Sequence, residues 1–189
     1  MQLSRRYSQE LLDLAVDLQK QPARRRGDLS EARARRSVST AYYALFHIIL
    51  DEATRSLLGS HNQIVGRRRV LARVFTHAGL KKALDKISGA KVHDSMRDFL
   101  RPRRVTTTDF MAPDFARYLS KVFSEMQVKR HEADYDLRAP IGNVDARLTI
   151  LQAAAAVGGW RQATTDDDRD FKHALAMLMV LKGELRRES

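Results

Sequence analysis

The sequence predicts an all-α protein, an up-and-down antiparallel bundle of five to six main helices. Only nine glycines and four prolines interrupt its 189 residues, and apolar residues recur at the three- and four-residue spacings of amphipathic helices. No segment sustains the alternation of β-branched and polar residues that indicates a strand. The length and the short predicted connections favour a single domain over residues 1–189, with short helices inserted at about residues 60–104.

The first two helices have the most regular pattern. An apolar stripe predicts the first helix at about residues 4–21, and a longer helix is predicted at about residues 29–58. Asp28 and Glu31 fit a capping box at the start of the longer helix. Gly59 stands where glycine commonly ends a helix, so we expect it to end this one.

The rest of the chain is divided at its glycines and prolines. Glycines 66, 79 and 89 predict short helices at about 62–77, 80–88 and 91–100, and Pro102 begins a predicted loop. Pro113 fits the first residue of a helix that runs to about Ala133. A break at residues 136–142 follows. Two more helices are predicted: one capped by Asn143 and running to about Ala156, the other capped by Thr164 or Thr165 and running to about Arg187.

Positive charge is concentrated in the first half of the chain. The net charge is +11, and residues 1–104 hold 22 of the 34 Lys and Arg against 10 of the 23 Asp and Glu. The arginines cluster at Arg24–Arg26, Arg33 with Arg35 and Arg36, Arg67–Arg69, and Arg101 with Arg103 and Arg104. Because arginine binds phosphate in a bidentate manner, RNA or another polyanion is the predicted partner. Solvated helix faces and an acidic protein partner remain as alternatives.

Several classes of site are not predicted. Without cysteine the chain has no disulfide framework, cysteine-ligated metal or cysteine nucleophile. The scattered histidines lack the four-residue spacing of a helical metal pair, and there is no glycine-rich phosphate loop, so we predict no metal and no cofactor. No apolar stretch approaches the roughly 20 residues of a membrane span and no signal core is apparent, so we expect a cytoplasmic protein without a membrane partner.

Two stretches carry polar residues in patterns that suggest a site. On the second helix, the residues Arg36, Thr40, Tyr43 and His47 lie within about 60° of one another, beside the apolar stripe. Such a stripe can line a polar groove or join a hydrogen-bond network between helices. The second stretch, Arg130–Asp136, places an arginine, a histidine, acids and a phenol at a helix end, where Asp134 can pair with an arginine of another helix or serve as a structural salt bridge.

Together the two stretches resemble the HEPN superfamily (higher eukaryotes and prokaryotes nucleotide-binding). The similarity is to a bacterial branch with an Ala-Tyr-Tyr-Ala helix, here Ala41–Ala44, and a later Ala-Asp-Tyr, here Ala133–Tyr135. Arg73–His77 is similar to the region between these blocks. The resemblance implies a HEPN-like helical bundle that forms a homodimer. It also implies RNA binding or metal-independent ribonuclease activity, often in toxin–antitoxin or defence systems with a cognate partner protein.

The resemblance also implies a site. The ribonuclease motif of the family is an arginine, four to six residues, and a histidine. Arg130 matches the arginine, but His131 follows at once and the expected window holds Tyr135 and Asp136. We therefore hypothesise a composite site at a dimer interface, with Arg130, His131 and His47 as catalytic residues. Its substrate-binding residues would be Arg36, Thr40, Tyr43, Asp134 and Tyr135. A non-catalytic interaction module, such as a toxin–antitoxin partner or a nucleotide-binding bundle, remains the alternative.

Overall fold

The structure is a computed structural model that describes residues 3–20, 30–88 and 112–181, with side chains from residue 6 onward. Within these ranges the protein is all-helical, with seven α-helices, one short 3-10 helix and no strand. The predicted all-α class is therefore confirmed for this part of the chain. The predicted cap Asp28, the helix at 91–100, the loop after Pro102 and the helix end at Arg187 lie outside the described residues.

The helices are numbered in chain order. Their bounds are α1 Leu3–Lys20, α2 Ser30–Leu58, α3 Val65–Ala72, α4 His77–Ser88, α5 Asp114–Tyr135, α6 Asn143–Gln162 and α7 Asp166–Val180, with the 3-10 helix at Asn62–Ile64. Contacts divide the chain into two compact units, of which the first comprises Met1–Ile48 and Lys121–Gly159. The second comprises Ile49–Ser120 and Trp160–Ser189. None of the helices in the described ranges is long and apolar enough to cross a bilayer.

The long helix α2 has the predicted buried stripe and the predicted end. Its stripe residues are all buried, namely Val38, Ala41, Tyr42, Leu45, Ile48 and Ile49. Gly59 adopts a φ of 84°, a left-handed backbone conformation that residues with a Cβ rarely adopt. Its N–H donates to the Arg55 carbonyl at 2.7 Å, which satisfies one of the last carbonyls of the helix.

Two predicted helices have other bounds in the structure. In place of a helix at about 62–77 the chain forms the 3-10 helix and then α3, which ends at Ala72. Gly79 does not precede α4 but lies inside it, because α4 begins three residues earlier than predicted. The early start of α4 is explained by a capping hydrogen bond, in which the Gly79 N–H donates to the Thr76 hydroxyl at 3.0 Å. The spacing of the glycines does not indicate this bond. A side chain that satisfies a free N–H of the first turn fixes the helix start, and a glycine in that turn is tolerated.

The last three helices match the prediction in position, with one helix longer than predicted. Gly158 and Gly159 lie inside α6, which continues to Gln162 rather than ending near Ala156. Residues 136–142 form the predicted break. Asn143 is the first residue of α6 rather than its cap, and Gly142 occupies the capping position. The Gly142 N–H donates to the Asp145 carboxylate, and the Gly142 carbonyl accepts from the Ala146 N–H. Thr165 caps α7 in a complete capping box with Asp168.

Each unit has its own buried cluster. In the first unit, buried side chains of α2, α5, α6 and the preceding break pack together, namely Ala34, Val38, Ala133, Ile141 and Ala146. In the second unit, Trp160 is only 2% exposed and meets Phe115 edge-on, with ring centroids 6.0 Å apart. The Lys172 ammonium lies 4.9 Å from the Trp160 ring centroid and donates to the Trp160 and Ala163 carbonyls, so it caps the end of α6.

Candidate functional site

The two stretches singled out in the sequence meet in the first unit. Arg130 of α5 donates from Nη2 to the Tyr43 hydroxyl of α2 at 2.8 Å. The guanidinium carbon also lies 5.4 Å from the centroid of the Tyr43 ring, within the range of a cation–π contact. Residues 87 positions apart in the chain are thus joined by a directional bond between side chains.

Arg130 is held on further sides by residues of its own helix. Its Nε lies 2.8 Å from the Asp134 carboxylate one turn later, and its guanidinium carbon lies 5.6 Å from the Tyr135 ring centroid. Burial lowers the pKa of Arg130, but Tyr43, Asp134 and Tyr135 raise this pKa by more, so the guanidinium remains cationic. The guanidinium carbon is thus within cation–π distance of two tyrosine rings, and 20% of the side chain is exposed.

Asp134 has a partner on another helix, although not an arginine. The Ser39 hydroxyl of α2 donates to its Oδ1, while its Oδ2 faces Arg130 of the same helix. The carboxylate is mostly buried, and it is compensated by a hydrogen bond at Oδ1 and by the ion pair with Arg130 at Oδ2. Asp134 therefore orients the Arg130 side chain and ties α5 to α2 at the same time.

Arg35 fixes the end of α5 from the side of α2. It donates from Nη1 to the Glu132 and Asp136 carbonyls at 3.1 and 2.9 Å, and from Nη2 to the Ala139 carbonyl at 2.5 Å. Glu31 accepts from its Nε at 2.9 Å, and only 11% of the Arg35 side chain is exposed. The Glu132 and Asp136 carbonyls also accept from the Asp136 and Ala139 N–H groups. The Arg35 guanidinium therefore adds a second donor to each of them, binds the Ala139 carbonyl, and holds the end of α5 against α2.

The two candidate histidines lie at opposite ends of a series of contacts between aromatic rings and the Arg130 guanidinium. His47 is half-buried, edge-on to Tyr7 of α1 at 5.1 Å and 6.4 Å from the Tyr43 ring, measured between centroids. His131 is exposed, with its ring 5.2 Å from that of Tyr135. We define the tyrosine–arginine row as His47, Tyr43, Arg130, Tyr135 and His131, in the order of these contacts.

Besides Asp134, which pairs with Arg130, two predicted site residues lie outside this row. Thr40 is buried, and its hydroxyl donates to the Arg36 carbonyl one turn earlier in α2 at 2.7 Å, so it is satisfied within its own helix. Arg36 is exposed, and within the described ranges its guanidinium makes no hydrogen bond or ion pair. The structure therefore brings together six of the eight predicted residues, namely the row and Asp134.

Sequence reasoning did not single out Ser39, Arg35 or Tyr7. Ser39 and Arg35 lie on α2 beside residues that were chosen, but nothing in a single helix indicates which neighbour faces α5. Tyr7 has the spacing of the apolar stripe of α1, so its pattern predicts burial rather than a site. Within the described ranges, no group of three or more His, Cys, Asp or Glu side chains could hold a metal ion.

Comparisons with known proteins do not assign the chain to a family. No protein-family model, no curated protein and no solved structure matches the chain. A functional assignment therefore depends on the contacts of the first unit and on the chemistry of the residues that make them.

Stability should depend on pH through His47. Burial lowers the pKa of His47 in the folded protein, so between that pKa and the unfolded value of about 6.5 the unfolded chain binds more protons. The free energy of unfolding should therefore fall as the pH drops below about 6.5. Urea titrations between pH 5 and 8 should show this loss in the wild type, and a smaller loss in His47→Gln. The exposed His131→Gln should behave as wild type, and a His47→Gln profile identical to wild type would contradict the assignment.

Proposed function

We propose that this protein is a HEPN-type RNA-binding bundle that uses the tyrosine–arginine row as its site. The observation that carries the proposal is the hydrogen bond between Arg130 and Tyr43, which joins the two sequence blocks of the resemblance at one place. A cation held between two phenol rings is suited to a nucleotide, since phosphate binds the guanidinium and bases stack on exposed rings.

The chemistry of the row favours RNA binding over a purely structural role. A guanidinium has five N–H donors, and Tyr43 and Asp134 engage only the Nη2 and Nε positions of Arg130. The remaining donors can bind phosphate oxygens. Tyr135 is 65% exposed, so its ring can stack with a base, and the exposed Arg36 on α2 adds a second cation in the same unit.

The second unit also presents cations. Arg67, Arg69 and Arg73 are exposed, and among the described residues their guanidinium groups have no hydrogen-bond or ion-pair partner. Arg68, between them, is buried and donates to the Gly59 carbonyl, so it serves the fold. Three outward arginines supply the sequence-independent attraction to phosphate on which RNA affinity depends.

A second candidate function, metal-independent RNA cleavage, is favoured by the two histidines at the ends of the row. In such a reaction one imidazole takes the proton of the 2′-hydroxyl, the 2′-oxygen attacks phosphorus, and the bond to the 5′-oxygen breaks as the other imidazole donates a proton to it. The guanidinium stabilises the charge on the phosphoryl oxygens, and a 2′,3′-cyclic phosphate results. Because burial lowers the pKa of His47, its imidazole is neutral at pH 7 and can accept a proton.

Binding and cleavage can be tested with purified protein and a labelled single-stranded RNA. We expect binding at low salt and a linear fall of log affinity with log salt concentration. Cleavage, if it occurs, should persist in excess chelator and fall at least 100-fold in His131→Ala. His61→Ala, which removes an exposed histidine outside the row, is the matched control and should retain full activity.

Three outcomes separate the alternatives. Salt-dependent binding without cleavage supports an RNA-binding module and rejects the ribonuclease. Cleavage that a chelator abolishes points to a contaminating enzyme and also rejects the metal-independent ribonuclease. Absence of RNA binding at moderate salt rejects the proposed function and leaves the interaction module, for which an acidic protein partner would then be sought.

A further inference from the structure

Tyr7 of α1 extends the tyrosine–arginine row with a second exposed phenol ring. Its ring meets the His47 ring edge-on, with centroids 5.1 Å apart, and 46% of the residue is exposed. Tyr135, which is 65% exposed, lies on the other side of Arg130 in the order of the contacts. An exposed tyrosine ring therefore flanks the guanidinium in each direction along the row.

The exposure of Tyr7 follows from the way in which α1 packs. Among the described side chains of α1, the buried ones are Ser8, Leu12 and Ala15, which recur at the spacing of one helix face. Tyr7 precedes Ser8, and neighbours on a helix point about 100° apart, so its ring lies outside the buried face. The burial that the apolar spacing predicts for Tyr7 is therefore not found.

Hydrogen bonds fix α1 beside α2. The Ser37 hydroxyl of α2 donates to the Ala15 carbonyl at 3.0 Å and accepts from Nε2 of Gln19 at 2.9 Å. These bonds hold the helix that carries Tyr7 against the helix that carries His47. The Tyr7 ring is thus a surface whose position is set before a ligand arrives, which lowers the entropic cost of binding.

The surface between Tyr7 and the guanidinium is partly exposed along its length. His47, Tyr43 and Arg130 are each partly exposed, whereas Tyr42 is buried. The successive separations along the row are 5.1, 6.4 and 5.4 Å, so the Tyr7 ring lies within about 17 Å of the Arg130 guanidinium carbon. An extended single strand, at roughly twice the 3.4 Å spacing of a duplex strand, covers that distance with about three nucleotides.

Two exposed rings on either side of a cation suit an unpaired strand. In a duplex the faces of the bases are covered by neighbouring base pairs, so aromatic side chains stack on the bases of single strands, loops and ends. We propose that the site takes single-stranded RNA, with one base stacked on Tyr7, another on Tyr135 and the phosphates between them at Arg130. The inference rests on the proposed function and adds the class of RNA and the role of Tyr7.

Replacement of Tyr7 tests the second stacking surface. Tyr7→Leu should lower the affinity for a labelled single-stranded RNA about tenfold, because a stacked base is lost, and Tyr7→Phe should bind as the wild type does. The affinity for a duplex of the same sequence should be lower and should not change in Tyr7→Leu. Tyr118→Leu, which changes a tyrosine 41% exposed outside the row, is the matched control and should bind as the wild type does.

Removal of the bases separates stacking from a structural role of Tyr7. In a strand of about ten nucleotides, replacing every base by an abasic ribose removes the stacking partners and keeps the phosphates. The wild type should lose affinity on this replacement. Tyr7→Leu should lose about tenfold less, because one of the two stacking contacts is already absent from the variant.

The outcomes distinguish this inference from the proposed function. If Arg130→Ala weakens RNA binding and Tyr7→Leu does not, the proposed site stands and the second stacking surface is rejected. If Tyr7→Leu and the wild type lose equal affinity on the abasic strand, or if the duplex competes as well as the single strand, the inference is overturned. If the wild type binds no RNA at moderate salt, the proposed function fails and this inference fails with it.

Discussion

Replacing Arg35 by alanine should destabilise the protein by about 3 kcal/mol, while the same change at the adjacent Arg36 should cost almost nothing. Arg35 is nearly buried and donates to the Glu132 carbonyl in the last turn of α5 and to the Asp136 and Ala139 carbonyls in the break that follows. Its removal takes the side-chain donor from the Ala139 carbonyl and a second donor from the Glu132 and Asp136 carbonyls, and it breaks the ion pair with Glu31. Arg36 is exposed, and its guanidinium binds none of the described residues.

Denaturant titrations of Arg35→Ala, Arg36→Ala and wild type measure this difference directly. Arg35→Lys should not recover the lost stability, because one ammonium cannot span the Glu132, Asp136 and Ala139 carbonyls. If Arg36 binds RNA as proposed, Arg36→Ala should weaken RNA binding with no loss of stability. Equal destabilisation by the two alanine variants would contradict the role assigned to Arg35.

Arg130 and Asp134 should have opposite effects on RNA binding and the same effect on stability. Each single replacement, Arg130→Ala or Asp134→Asn, leaves the other, mostly buried charge without its partner and should cost about 2 kcal/mol. RNA affinity should fall at least tenfold in Arg130→Ala. In Asp134→Asn it should rise, because the carboxylate no longer competes with phosphate for the guanidinium.

The paired measurements separate a binding site from a structural bridge. Thermal unfolding of the two single variants and of the double variant gives the coupling energy, expected at about 1–2 kcal/mol because the two side chains are in contact. Fluorescence anisotropy with a labelled RNA gives the affinity. If both single variants lose stability and neither changes RNA affinity, the row is only a bridge between α2 and α5, and the proposed site fails.

The helices could be predicted because their signals are local. Apolar spacing identified the buried stripe of α2, Gly59 identified its end, and Thr165 identified the start of α7. Two helix boundaries were predicted wrongly because glycine was taken to end or precede a helix. Thr76 caps α4 although a glycine follows it, and two glycines stay helical at the end of α6.

The site could be predicted only as a list of candidates. Tyr43, Arg130 and Asp134 were chosen for their chemistry, and the structure brings them into contact. The sequence placed Thr40 beside Tyr43 on the same stripe, yet its hydroxyl bonds within its own helix. Helical spacing alone cannot tell a side chain that crosses to the next helix from one that folds back.

The amino-acid sequence alone determined the helical class, the excess of arginine and the residues that carry the resemblance. Only the tertiary structure decided which of two adjacent arginines serves the fold, as Arg35 and Arg68 do, and which faces solvent, as Arg36 and Arg67 do. Neighbours on a helix point about 100° apart, so each partner is set by the helix that packs alongside. That packing joins residues far apart in the chain, which no local pattern records.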